Sequence, residues 1–416
     1  MRDRDLYARI LNLPAPWSVR DVELDLKAEE VRVLVDLAPD ATLVCPECAA
    51  ASSRYDSRER RWRHLDTCQL RTVLVASVPR VSCGEHGVHQ IRVPWAEPGS
   101  GFTALFEALA IDWLKEASLT TVARRLRMSW DEADGIQSRA VARGLARRVQ
   151  QLPNRIGVDE TSFQKRHEYV TVVNDTKSGV VVHVADGRSQ EALESYLDAF
   201  GEAERAQIES VSMDMHGPYI AAVRAKVPGS EGKIAFDKFH VASHLSQAVN
   251  EVRLTEHRAL SAQGDETLKG TKYLWLQSPS NMKAERWAEF EALKLNTLKT
   301  GRAWAIKETA MTLWRYRSRP TALRAWKSWL GWALRSRLEP VRRAAKMIRE
   351  HLGGVVNAVV SGVTNAMAES VNAKIQWIKR LACGYRNRER FRNAIYFHCG
   401  GLDLYPATLG QTHTNA

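Results

Sequence analysis

The sequence predicts a multidomain α/β protein, and three observations carry that expectation. Four of the six cysteines fall within the first 100 residues, among short β-like runs. Residues 155–240 alternate between strand and helix patterns, and residues 245–350 read as helices rich in tryptophan and arginine. No internal repeat and no low-complexity stretch interrupts this order. A chain of 416 residues suffices for two or three domains, each with its own core. The predicted blocks are 1–100, 101–150, 151–244, 245–350 and 351–416, with a ribbon at about 40–95 in the first.

Charge narrows the class of partner. Sixty Lys and Arg oppose 48 Asp and Glu, giving a net charge of +12 and a pI near 9.5. Such an excess attracts polyanions, of which nucleic acid is the commonest. The N-terminal MRDRDLYARILNLP lacks the apolar core of a signal peptide, and no apolar run reaches membrane-span length. The expectation is a cytosolic protein without a membrane partner, whose paired cysteines ligate metal rather than form disulfides.

In the first block, CPEC supplies Cys45 and Cys48, and CGEH supplies Cys83 and His86. Each pair is three positions apart, the reach of a zinc knuckle. The intervening QLRTVLVASVPRVSC alternates as a strand does, so two knuckles joined by β-structure make a zinc ribbon. A closed Cys3His site is structural, and in so small a domain zinc supplies folding energy. His89 is an alternative to His86, and Cys68 is a spare candidate.

In the second block, SLTTVARRLRMSWDEADGIQSRAVARGLARR predicts a helix over 120–126, a turn at Met128–Ser129 and a second helix from about Trp130. Val122, Ala123, Leu126, Ala133, Ile136 and Val141 form the inward positions of a helix-turn-helix. Arg139, Arg143, Arg147 and Arg148 are the phosphate-seeking candidates.

The third block opens with RIGVDETSF, in which Ile156 and Val158 share one strand face and Asp159 takes the other. YVTVVND and GVVVHVADG follow as a hairpin, then a helix capped by Ser189, then the strand IESVSMD. Strand, strand, strand, helix, strand is the opening order of a ribonuclease-H-like domain, whose first and fourth strands are neighbours. Asp159 and Asp214 then project side by side, and the simplest partner for two adjacent carboxylates is Mg²⁺ or Mn²⁺. Asp237 follows another apolar strand and competes as a ligand, and with His240 it forms D-x-x-H. Glu160 points away from the face of Asp159.

A third ligand is expected on a later helix, and TNAMAESVNAKIQWIKRL fits. Met367, Val371, Ile375 and Ile378 define its apolar stripe; Glu369, Asn372, Gln376 and Lys379 define its polar face. Glu369 suits the positive end of the helix dipole, and the rest of that face is expected to reach DNA, as is the basic tail that follows, Arg386 included. Residues 301–350 carry 13 Lys and Arg against three Asp and Glu, interleaved with Trp304, Trp314, Trp326, Trp329 and Trp332. Basic side chains neutralise phosphates and an exposed indole stacks on bases. At least three of these five tryptophans are expected in the core.

The ordered set CPEC…CGEH, GVDET, SMDMHGPY, FDKFHV and TNAMAESVNAKIQ resembles the insertion-sequence transposases of the ISL-three family, over about residues 40–400. These are bacterial DDE recombinases. The resemblance implies Asp159, Asp214 and Glu369 as the triad holding two Mg²⁺ ions, with Asp237 and His240 as an accessory element. It implies an all-helical insertion between the second and third acids, double-stranded DNA as partner, a homodimer or larger assembly on DNA, and location at the bacterial nucleoid. A DNA-binding regulator without catalysis, and a nuclease that cuts without joining, are the alternatives.

Overall fold

The computed structural model describes residues 3–164, 168–295, 298–362 and 366–407, which form two compact units. The first holds residues up to Val149 together with the segment from Leu402, and the second runs from Gln150 to Gly401. The Thr364–Asn365 start of the late helix motif and the tail beyond residue 407 lie outside the described residues.

In the first unit, helix α1 (Asp3–Leu11) precedes strands β1 (Trp17–Asp25), β2 (Glu30–Leu37), β3 (Ser53–Thr67), β4 (Leu70–Cys83) and β5 (Gly87–Gln90). The sheet order is β1-β2-β4-β3, with β5 also paired to β4. Period-two alternation sends Val31, Val33 and Val35 of β2, and Leu74, Ala76 and Val78 of β4, into one core. Trp95 joins it by edge-on contacts with Trp17 and Trp62, at centroid distances of 4.9 and 5.3 Å. Three helices follow: α2 (Ala104–Glu116), α3 (Leu119–Arg125) and α4 (Trp130–Arg147). Thr103, Ser118 and Ser129 cap them, and Ser129 forms a capping box with Glu132. Val122, Ala123, Ala133, Ile136 and Val141 are buried, as the helix-turn-helix spacing requires.

The second unit is built on strands β6 (Arg155–Gln164), β7 (Glu168–Asp175), β8 (Val181–Asp186), β9 (Ser210–Met213) and β10 (Ile234–Phe236), in the order β10-β9-β6-β7-β8. β6 pairs antiparallel with β7 and parallel with β9, and β9 pairs parallel with β10. The first and fourth strands of this block are therefore neighbours.

One face carries Ile156, Val158, Val173, Val211 and Met213 against helices α5 (Gln190–Leu197) and α7 (Gly217–Lys226); α6 (Glu202–Ala206) has no buried residue, and α8 (Ser230–Lys233) leads directly into β10. Ser189 occupies the cap position of α5 without a side-chain capping bond. The same buried cluster continues into α9 (Lys238–Ser261), α10 (Lys272–Leu276), α11 (Ala284–Leu295), α12 (Lys299–Thr312), α13 (Arg319–Leu334), α14 (Glu339–Glu350) and α15 (Leu352–Ser361). The opposite face carries Val170, Val172, Val181 and Val184 against α16 (Ala366–Leu381) and α17 (Arg388–Cys399). Val371, Ile375 and Ile378 of the predicted stripe are buried there, whereas Met367 is exposed and lies over the turn at Gly179.

α15 returns to the sheet at β10, where Gly354 meets the Phe236 ring so closely that a β-carbon would overlap it. Gly354→Ala is expected to destabilise the second unit by about 1–3 kcal/mol. A lowered midpoint in thermal denaturation, partly restored by adding Phe236→Leu, checks this.

Candidate active site and metal centre

Strand register brings the acids together. Every β6–β9 pair is offset by 55 residues, as in Arg155↔Ser210 and Gly157↔Ser212, and 55 also separates Asp159 from Asp214. The β9–β10 pairs are offset by 23, as in Met213↔Phe236, and 23 separates Asp214 from Asp237. The same offsets bring three aspartates level: Asp159 within β6, and Asp214 and Asp237 just past the carboxyl ends of β9 and β10. They alternate against Val158, Met213 and Phe236 of the helix-packed core, so all three belong to the opposite face, the one α16 covers.

Each carboxylate is held differently. Asp159 Oδ1 accepts the Glu160 amide at 2.7 Å, and Oδ2 accepts from Asn372 Nδ2. Burial raises the Asp159 carboxyl above its ordinary value; the Asp214 charge adds to this, while the two hydrogen bonds and the nearby His240 oppose it. Asp214 accepts the His216 amide at 3.1 Å, a turn bond at the end of β9. Asp237 caps α9 by accepting the Phe239 amide at 3.1 Å, and its own amide donates to Met213. It is 6% exposed, its Oδ2 has no hydrogen-bond partner, and His240 Nε2 lies 3.9 Å from that oxygen.

Glu369 is exposed in the first turn of α16. The remaining polar face lies along β6: Asn372 reaches Asp159, Gln376 donates to Thr161 at 3.1 Å, and Lys379 donates to the Ser162 carbonyl. These groups, expected to reach DNA, are spent on the strand that carries the first acid. Glu160 points the other way, toward Arg188 and the neighbourhood of Tyr219, whose hydroxyl bonds Thr171 at 2.8 Å. The sequence places Asn372 one helical turn after Glu369 on the same face, but its contact with Asp159 emerges only from the docking of α16 on β6.

The ribbon site is tighter. The donor atoms of Cys45, Cys48, Cys83 and His86 all lie within 4.8 Å of one another, and among the described residues no other set of three His, Cys, Asp or Glu matches this. Asp159, Asp214 and Glu369 accordingly do not form so closed a group. Cys68 is exposed at the β3–β4 turn, and His89 bonds the His86 carbonyl, so neither alternative joins the four. Backbone amides of His86 and Glu85, then the His86 ring, draw the Cys83 thiol down to about 6. A thiolate-prone sulfur among soft donors fits zinc.

The arginines of α4 divide. Arg139 and Arg143 both pair with Glu107, a carboxylate only 1% exposed, and Arg143 also pairs with Glu97 and the Leu404 carbonyl. The Arg143 side chain is nearly buried and that of Arg139 is 31% exposed, and both are paired with the carboxylate beneath them. Arg147 pairs with Asp403 at 2.7 Å in a solvent-accessible position, and Arg148 and Arg386 are partly and fully exposed. Of the five tryptophans, Trp304, Trp326 and Trp329 are buried, Trp314 is half-buried and Trp332 is exposed.

The family described as a transposase, of the DDE type and the ISL3 (ISL-three) group, matches residues 156–395. A zinc finger of transposases IS204/IS1001/IS1096/IS1165 matches 42–86, and the helix-turn-helix domain of transposase family ISL3 matches 91–141. The chain is 28% identical to the transposase for insertion sequence element IS1557 of Mycobacterium tuberculosis, over 93% of each protein. It is 23% identical to that for IS1001 of Bordetella parapertussis, over 85% of this chain and 88% of the relative. The family match defines a DNA-cleaving and DNA-joining enzyme of the DDE class, which uses a divalent metal and binds DNA. The chain belongs to the ISL3 family of insertion-sequence transposases. Among the described residues, no helix is long and apolar enough to cross a membrane.

Two outcomes follow from these sites. Metal analysis is expected to find one zinc per chain, lost in Cys45→Ser with Cys83→Ser together with the cooperative melting of the first unit. The raised Asp159 carboxyl costs stability once ionised, so stability falls as pH rises through its folded pKa. Asp159→Asn is therefore expected to raise the melting midpoint of metal-free protein at pH 7–8. That gain disappears below about pH 4, where the acid is protonated folded or unfolded.

Proposed function

We propose that the second unit is a ribonuclease-H-like catalytic domain and that α9–α14 are a helical insertion within it. Asp159, Asp214 and Glu369 are its triad, and the observation that carries this reading is the shared register of Asp159 and Asp214. Oxygen donors and two facing negative charges suit a hard divalent cation, Mg²⁺ or Mn²⁺, with two ions at the site. When bound, the metal polarises a water or a DNA 3′-hydroxyl for attack on phosphorus and stabilises the departing oxygen.

The chain's own groups set the geometry. Asn372 and the Glu160 amide fix the Asp159 carboxylate, leaving a lone pair on each oxygen for the ion. His240, in the first turn of α9 and oriented by Asp237, faces the scissile phosphate. Glu369 closes on the site from α16, whose Gln376 and Lys379 bind the helix to β6. The zinc of the ribbon is structural. Arg147, Arg148 and Arg386 contact phosphates, the exposed ion pair of Arg147 being weak enough to exchange, while Arg139 and Arg143 brace the helix-turn-helix. Two element ends must be held at once, so the active form is a homodimer or larger on double-stranded DNA, at the bacterial nucleoid.

Labelled element ends incubated with protein and Mg²⁺ test the reading. Metal-dependent nicks with 3′-hydroxyls, followed by joined products, are expected from the wild type. Asp214→Ala should lower both by roughly three orders of magnitude or more, with DNA binding retained. Cleavage without joining would favour a nuclease, and binding without cleavage in both proteins a regulator.

A further inference from the structure

Phe239, inside the D-x-x-H element, is 60% exposed, yet it is neither loose nor remote. It occupies the first turn of the 24-residue helix α9, directly after the cap Asp237. The inward face of α9 is Val241, Leu245, Val249 and Val252. Phe239 precedes Val241 by two residues, about 200° around the helix, so the periodicity that buries α9 drives this ring outward. The Asp237 carboxylate ties down its amide at 3.1 Å, and the His240 ring stands edge-on to it at a centroid distance of 6.0 Å. Lys238, beside it, is exposed as well.

Its surroundings are otherwise polar and ionic: Asp237 with its unpartnered Oδ2, and His240, whose charge is felt by both Asp159 and His244. A flat apolar ring with a cation next to it, at the rim of a centre that acts on phosphodiesters, matches one nucleotide in two parts. The ring takes the face of a base and the ammonium takes a phosphate. In a duplex both faces of each base are already stacked, so the ring's partner must be a base displaced from the helix.

We propose that Phe239 and Lys238 form a lip of the active site on which an unstacked base flanking the scissile phosphate rests, positioning that phosphate for attack. This rests on the transposase reading. Phe239 acts by holding the substrate, and the reacting groups remain those of the triad.

The test pairs protein changes with DNA changes. Wild type, Phe239→Ala and Phe239→Trp are assayed for single-turnover cleavage of intact element ends and of ends made abasic on either side of the scissile phosphate. On intact ends Phe239→Ala should cleave about tenfold or more slowly, with unchanged melting midpoint and unchanged overall DNA affinity, and Phe239→Trp should retain the wild-type rate. On one of the two abasic substrates the wild type should fall to the Phe239→Ala rate, while Phe239→Ala loses nothing further. Equal rates for wild type and Phe239→Ala on intact ends would overturn the proposal, as would losses from the two changes that simply multiply. No cleavage of verified ends by the wild type would instead overturn the reading on which the proposal rests.

Discussion

Like charges placed level on adjacent strands are the constraint around which the second unit is organised. Asp159 and Asp214 share the offset of the β6–β9 register, and the Asp214 charge adds to the burial that raises the Asp159 carboxyl. Left to itself, such a pair would splay or protonate. The fold opposes both with short-range devices: a backbone amide on each acid, Asn372 on Asp159, and α16 bound along β6 by Gln376 and Lys379. Asp214 lies just past the end of β9, whereas Asp159 sits within β6, where α16 docks. The interior of the same strands is apolar without interruption on the opposite face, from Ile156 to Met213.

The first unit solves an inverse problem. Glu107 is buried on α2 and tolerable only because Arg139, Arg143 and Ser100 all reach it. Removing one partner of such a cluster leaves an uncompensated charge inside the protein, which costs more than the cluster contributes when complete. Positive charge on a helix is therefore an ambiguous mark of nucleic-acid contact. In α4 the arginines nearest the middle of the helix serve the carboxylates beneath them, and those at its end remain accessible.

Legibility in the sequence followed the range of the interaction. The zinc knuckles and the strand alternation of β4 are local, and each was readable from spacing. Asp159 and Asp214 were readable too, the first by its place on the strand face opposite Ile156 and Val158, the second because an apolar run stops on it. Partners distant in sequence were hidden. That Asn372 would touch Asp159, 213 residues away, depends on where α16 docks across β6. The burial of Glu107 and the choice of His86 over His89 depend on tertiary packing and knuckle geometry in the same way. Met367 shows the limit of periodicity: it keeps the stripe's spacing, but lies over the turn at Gly179 rather than in the core.

The helical excursion that begins at α9 returns through α15 to the strand it left, for Asn357 donates to the carbonyls of Glu231 and Ile234 at 2.8 Å beside β10. Departure and return are thus anchored at one place on the sheet. Closing a loop costs entropy that grows only with the logarithm of its length, so doubling a flexible excursion would add about 0.6 kcal/mol. The spacing between the second and third acids is for this reason a nearly free variable. Descendants of this chain can gain or shed helices between them while the geometry of the acids stays as it is.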